Sequence, residues 1–167
     1  MELNKIRHVL LWVGVSLAVA AAYAFVQKSA LPATTFTTIN GQKIALNDLR
    51  GKIVLVNFWA TSCGFCMQEM PELIATYQLY QKRGFEVIAV AMSYDDPIKV
   101  SAYATQQKLL FPVVFDNDGV LAREFGQVNA TPTTFLIDKS GKRISRTLGT
   151  INFRNLHAFL DSQANLN

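Results

Sequence analysis

Cys63 and Cys66 are the only thiols in a chain of 167 residues, and just two residues separate them in Ser62-Cys63-Gly64-Phe65-Cys66. That spacing suits reversible disulfide exchange, in which one sulfur attacks a partner disulfide and the second attacks the first to release the partner. The attacking species is a thiolate, and a helix start favours it through unpaired backbone N–H groups and the positive end of the helix dipole. The residues around the pair supply such a start. Ile53 to Phe58 is an apolar run that reads as a buried strand, and Met70, Leu73, Ile74 and Tyr77 recur behind the cysteines at helical spacing, with Gly84 as a stop. Pro71 is expected to kink this helix.

Other uses of two cysteines fit less well. A structural disulfide across so short a loop restricts the unfolded chain by only about 2 kcal/mol. Structural zinc takes four ligands, and the two histidines, His8 and His157, are remote in sequence. Two thiolates can hold monovalent copper, so a non-catalytic copper carrier stays open, as does a pair of inert buried thiols.

The elements that must position the pair follow from patterning. Phe36 to Ile39 and Lys43 to Leu46 flank Asn40-Gly41 and form an N-terminal hairpin. Ile53 to Trp59 and Val87 to Met92 are continuous apolar strands of the kind buried on both faces, joined by the helix after the cysteines. Asp96-Pro97 opens a second helix to about Lys108, with the Asp95-Asp96 pair as caps and not metal ligands. A strand over Phe111 to Phe115, a short helix over Val120 to Phe125, an antiparallel pair over Thr133 to Asp138 and Arg143 to Leu148, and a closing helix marked by Phe153, Leu156, Phe159 and Leu160 complete the chain, with Asn152 as cap. The fold class is α/β, a central mixed sheet flanked by helices. Phe58 is expected in the core, Trp59 either there or shaping a groove around the sulfur, Phe65 exposed between the cysteines, and His157 on the surface.

Ahead of this domain, Lys5, Arg7 and His8 precede an uncharged run from Val9 to Gln27. Its mostly apolar 18 residues to Val26 would span about 27 Å as a helix, near the thickness of a bilayer's hydrocarbon core. The flanking charge places the N-terminus inside and the domain outside. Residues 1–27 therefore read as a signal-anchor, or as a signal peptide cleaved near Ala22-Tyr23-Ala24, residues 28–33 as a short linker, and 34–167 as one domain. Both readings export the domain into an oxidising compartment, where the pair needs a redox partner. Formal net charge is +4, and +3 without Glu2, Lys5 and Arg7, with no basic stripe, so nucleic acid is not an expected partner.

Taken together, Leu49-Arg50-Gly51-Lys52, Val54-Leu55-Val56-Asn57-Phe58-Trp59-Ala60, Cys63-x-x-Cys66-x-x-Glu69-x-Pro71 and Thr131-Pro132-Thr133-Thr134-Phe135 resemble the thioredoxin superfamily. More narrowly they resemble its TlpA/ResA-like thiol-disulfide oxidoreductases, over roughly Thr34 to Phe159. The resemblance implies a thioredoxin-like fold with an N-terminal hairpin and a βα insertion. It implies a redox-active Cys63–Cys66 pair, no bound cofactor or metal, and a cis Thr131–Pro132 peptide that presents substrate to the cysteines. Asn57 stands where thioredoxin has a buried aspartate, and Glu86 matches a buried glutamate of the ResA-like branch, which implies that it takes over proton transfer; a solvated residue at the mouth of its strand is the other reading. Implied partners are protein disulfides or dithiols and a membrane electron donor, with reduction in cytochrome c maturation or for a similar client as the role. The sequence departs from the family at Ser62, where tryptophan is common, and at Gly64-Phe65. A thiol peroxidase of the peroxiredoxin type is the alternative, although the usual threonine three residues before the cysteine is missing here.

Overall fold

The computed structural model describes residues 8, 12–17, 19 and 34–164. The chain divides into two compact units, Met1–Ala30 and Leu31–Asn167. In the first, residues 12–17 are helical. The expected leader over 1–27 and linker over 28–33 otherwise lie outside the described residues. No helix among the described residues is long and apolar enough to cross a membrane.

The second unit begins with a hairpin, β1 (Thr35–Thr37) and β2 (Lys43–Ala45), paired antiparallel. Gly41, at φ +81°, makes its tight turn in the left-handed region that a side chain disfavours. β3 (Ile53–Trp59) follows, then α1 (Gly64–Tyr80), β4 (Phe85–Ala91), α2 (Pro97–Gln106), β5 (Val113–Phe115), α3 (Val120–Glu124), β6 (Thr133–Ile137), β7 (Arg143–Leu148) and α4 (Phe153–Ala164). Five strands form one mixed sheet in the order β5-β4-β3-β6-β7. β3, β4 and β5 are parallel, as the helical crossovers α1 and α2 require, while β6 runs antiparallel to β3 and β7 antiparallel to β6. The hairpin covers the outer edge of β5 through a Thr38–Val114 bridge and an Ile39 N–H bond to the Val113 carbonyl. An edge so covered has no free ladder to offer another chain.

Because side chains alternate along a strand, β3 feeds both cores. Ile53, Leu55 and Trp59 pack with Met70 and Leu73 of α1, Val100 of α2 and Leu156 and Leu160 of α4. Val54, Val56 and Phe58 pack on the opposite face with Phe36, Leu121, Phe125 and Phe135. Asn57 belongs by this alternation to the α1 face, and it is fully buried there. α1 runs through Pro71 without interruption and ends in a 3-10 turn, Gln81–Arg83, before Gly84 at φ +81°. His157 is half-buried and not a surface residue: its ring bonds Thr76 Oγ1 at 2.8 Å and packs on Tyr80.

Candidate active site

Cys63 is the N-cap of α1, with extended backbone at φ −87° and ψ 105°. Its Sγ accepts the Cys66 N–H at 3.1 Å, one of the donors a helix start leaves unpaired. The two sulfurs are joined as a disulfide with Cα atoms 5.2 Å apart. Cys63 is half-buried and Cys66 wholly buried. The first sulfur is thus the one a partner can reach, and the second can be reached only by the first. Phe65, between them, is exposed as expected.

The loop leading into Cys63 is held from the end of β4. Buried Asp95 accepts both the Thr61 N–H and the Thr61 hydroxyl at 2.6 Å. Asp96 accepts the Ile98 N–H and so caps α2, and the Tyr94 hydroxyl bonds Thr131 Oγ1 at 3.1 Å. One tripeptide therefore ties together the cysteine loop, the start of α2 and the loop before β6. Thr61, the threonine nearest to Cys63 in sequence, has its hydroxyl committed to Asp95.

The Thr131–Pro132 peptide is cis, with Pro132 buried and Thr131 half-buried. Thr133, next in the chain, pairs with Phe58 across the β3–β6 ladder. This register sets Pro132 beside the strand end that runs into Cys63.

Glu86 lies elsewhere. It pairs with Val54, five positions before the end of β3, or roughly 16 Å along the strand from Trp59. Its carboxylate accepts Lys52 Nζ at 3.0 Å and the Tyr77 hydroxyl at 3.0 Å. Burial and the adjacent Glu86 charge push the Tyr77 phenol up to about 12. The expectation that Glu86 takes the resolving thiol's proton is corrected by this placement: the residue anchors the far end of α1 to the sheet.

The carboxyl group behind the cysteines is that of Glu69, three residues beyond Cys66 on α1 and buried. Its Oε1 accepts Asn57 Nδ2 at 3.1 Å and its Oε2 the Ile151 N–H at 3.0 Å. Burial raises its pKa above the ordinary 4.5, against the opposing pull of those two hydrogen bonds. In the sequence Glu69 is one of the anchors of the resemblance but carries no assigned role, although an acidic residue flanked by Cys66, Met70 and Leu73 on an apolar helix face was a readable signal. A cleft of about 340 Å³ between β6, β7 and α4 is lined by Thr134 and Ile151, the partners of Asn57 and Glu69, and by Leu136 and Leu156 among others.

Comparison with known proteins agrees with this arrangement. Residues 27–143 match the AhpC/TSA family. The thiol-disulfide oxidoreductase ResA of Geobacillus thermodenitrificans is 37% identical over 134 residues, 80% of this chain and 76% of that protein. ResA of Bacillus subtilis is 34% identical over 122 residues, 73% of this chain and 67% of the other. Among solved structures, a Neisseria meningitidis protein described as a thioredoxin superposes with a TM-score of 0.75 at 33% identity, covering 81% of this chain and 89% of its own. A DsbE-type thiol:disulfide interchange protein of Chlorobium tepidum superposes with a TM-score of 0.71 at 28% identity, covering 81% and 96%. The fold is thioredoxin-like, and an exposed sulfur backed by a buried one at a helix start is the equipment for disulfide exchange. The chain belongs to the AhpC/TSA family, as a thiol-disulfide oxidoreductase of the ResA/DsbE type.

Proposed function

We propose that this oxidoreductase reduces protein disulfides outside the cytoplasmic membrane, recharged by a membrane electron donor, with cytochrome c maturation or a similar client as its task. One observation carries the chemistry: Cys63 is accessible and accepts the Cys66 N–H, while Cys66 is sealed behind it. The Cys63 thiolate attacks a substrate sulfur, forming a mixed disulfide and releasing one substrate thiolate. Cys66 then gives its proton to the Glu69 carboxylate, and its sulfur attacks Cys63, forming the intramolecular disulfide and releasing the second substrate thiolate. Two electrons pass to the substrate. Thr131 and Pro132 present their backbone beside Cys63 to an extended substrate segment. The basic residues and apolar run of the leader support export, and the names of the curated relatives support exchange on disulfides.

A Cys66→Ser variant, expressed in cells, leaves the mixed disulfide on Cys63 unresolved, so a disulfide-linked client is recoverable. Failure to recover one from well-expressed variant counts against the proposal. The direction of electron flow has its own test: a reductase titrates toward the potential of thioredoxin, about −270 mV, and a value as oxidising as about −120 mV overturns it.

A further inference from the structure

The middle of β3 holds an amide that the packing alone does not explain. Asn57 is fully buried, and its Nδ2 donates to Glu69 Oε1 at 3.1 Å and to Thr134 Oγ1 at 3.0 Å. Its Oδ1 has no hydrogen-bond partner. A buried carbonyl oxygen left unpaired costs about 1–3 kcal/mol, and buried polar atoms are almost always paired. An apolar side chain would avoid that cost in a strand whose neighbours are Val56 and Phe58. We propose that Asn57 is a positioning residue for the proton transfer at the cysteine pair, its amide turning over with the charge of Glu69 so that Nδ2 faces the carboxylate and Oδ1 faces the carboxylic acid. The inference rests on the reading of Glu69 as the acceptor of the Cys66 proton and deepens it.

The chemistry of the groups permits both arrangements. An ionised carboxylate only accepts, and it is met by Nδ2 as observed. The protonated acid carries one O–H, which needs an acceptor, and a half-turn of the amide brings Oδ1 into the place of Nδ2. The Thr134 hydroxyl both donates and accepts, so it follows the turn by rotating its hydrogen. In either state the face of the amide toward Glu69 is paired and the opposite face is not. Each state leaves one buried end of the amide unpaired, the oxygen in one and the N–H2 group in the other, while the end toward Glu69 serves carboxylate or acid. A fixed donor would oppose protonation, and an aspartate at this position would add a second charge about 3 Å from the first.

The proton balance closes within the protein: the Cys66 thiol loses the proton that Glu69 gains, with no further reactant. The groups that meet the Glu69 carboxyl are Asn57 from β3 and the Ile151 N–H from the segment after β7, and Cys66 lies one turn before it on the same helix. Among the described residues no charged side chain hydrogen-bonds to it.

The test uses the full chain and its nitrogen and carbon resonances. The Glu69 carboxyl carbon and the Asn57 side-chain N–H pair are followed across pH, alongside the pH profile of mixed-disulfide release. The expected result is one shared midpoint for the carboxyl and the amide, with the amide transition abolished in Glu69→Gln. Asn57→Leu shifts the release profile to higher pH and slows release about tenfold or more below its midpoint. Asn57→Asp splits the profile into two steps, as two interacting carboxyls require. If Glu69 titrates and governs release while the Asn57 resonances stay fixed, the inference falls and the role of Glu69 stands. If Glu69→Gln leaves the release profile unchanged, the reading of Glu69 falls and the inference with it. Should Asn57→Leu fail to fold, the resonance measurement on the unaltered chain still decides.

Discussion

Cys63 and Cys66 are chemically identical side chains made different by a single helical turn. The N-cap position gives Cys63 an N–H donor and access to a partner, and the next turn places Cys66 under the core. Glu69, one turn further, is a buried acid whose folded-state pKa is raised, first by burial. The consequence for stability has a definite sign. As pH rises above the ordinary glutamate value of 4.5, the unfolded chain releases this proton before the folded one does. The folded state then binds more protons, so stability is full below that value and falls as pH rises through the window up to the raised folded value. The oxidised protein should therefore lose denaturation midpoint with rising pH from about 4.5 upward, and Glu69→Gln should remove that part of the slope. A slope identical in the two proteins would show that the burial of Glu69 does not oppose its ionisation.

The segment between β4 and α2 acts at the scale of elements, because Tyr94, Asp95 and Asp96 each hold a different part of the site. Asp95→Ala removes both bonds to Thr61 and leaves a part-buried N–H unpaired. A loss of about 2–3 kcal/mol in a denaturant titration is expected, together with slower disulfide exchange as the cysteine loop loosens. Stability loss without any change in exchange would make Asp95 a capping residue only. At the other end of the sheet, Glu86 joins Lys52 on the segment before β3 to Tyr77 near the end of α1. Glu86→Gln should cost about 1 kcal/mol of stability and leave the pH profile of exchange unchanged. A displaced profile would restore the proton-transfer role that the geometry takes from this residue.

Across the whole molecule, the sheet separates the redox chemistry from much of the packing. Phe125 lies on the face opposite α1, with its ring 5.4 Å from Phe58, 5.2 Å from Phe135 and 6.0 Å from Phe36. Phe125→Ala should cost about 3–5 kcal/mol, a large part of a domain's total of roughly 5–15 kcal/mol. Thermal melting reads the loss, and exchange measured on the folded fraction should keep its rate constant. A changed rate would mean that the two cores are coupled through β3, the strand they share.

Much was legible from consecutive residues, since strand alternation, helical spacing, turn glycines and caps are local properties. β3 and β7 coincide with their expected spans, and the hairpin turns at Asn40-Gly41. The boundaries that moved did so for tertiary reasons. β4 starts at Phe85 and takes in charged Glu86, because Lys52 and Tyr77 are there to receive the carboxylate. The site divided in the same way. The cysteine pair at a strand-to-helix junction is a fact of sequence, because it depends on residues a few positions apart. Glu69 shares that locality, one turn beyond Cys66 on the same helix; the distance of Glu86 from the pair does not, because strand register sets it opposite Val54 at the far end of β3. The same holds for Asn57, whose pairing with Glu69 and Thr134 joins positions 12 and 77 residues away. Register between strands distant in sequence decides such meetings, and no local pattern encodes it.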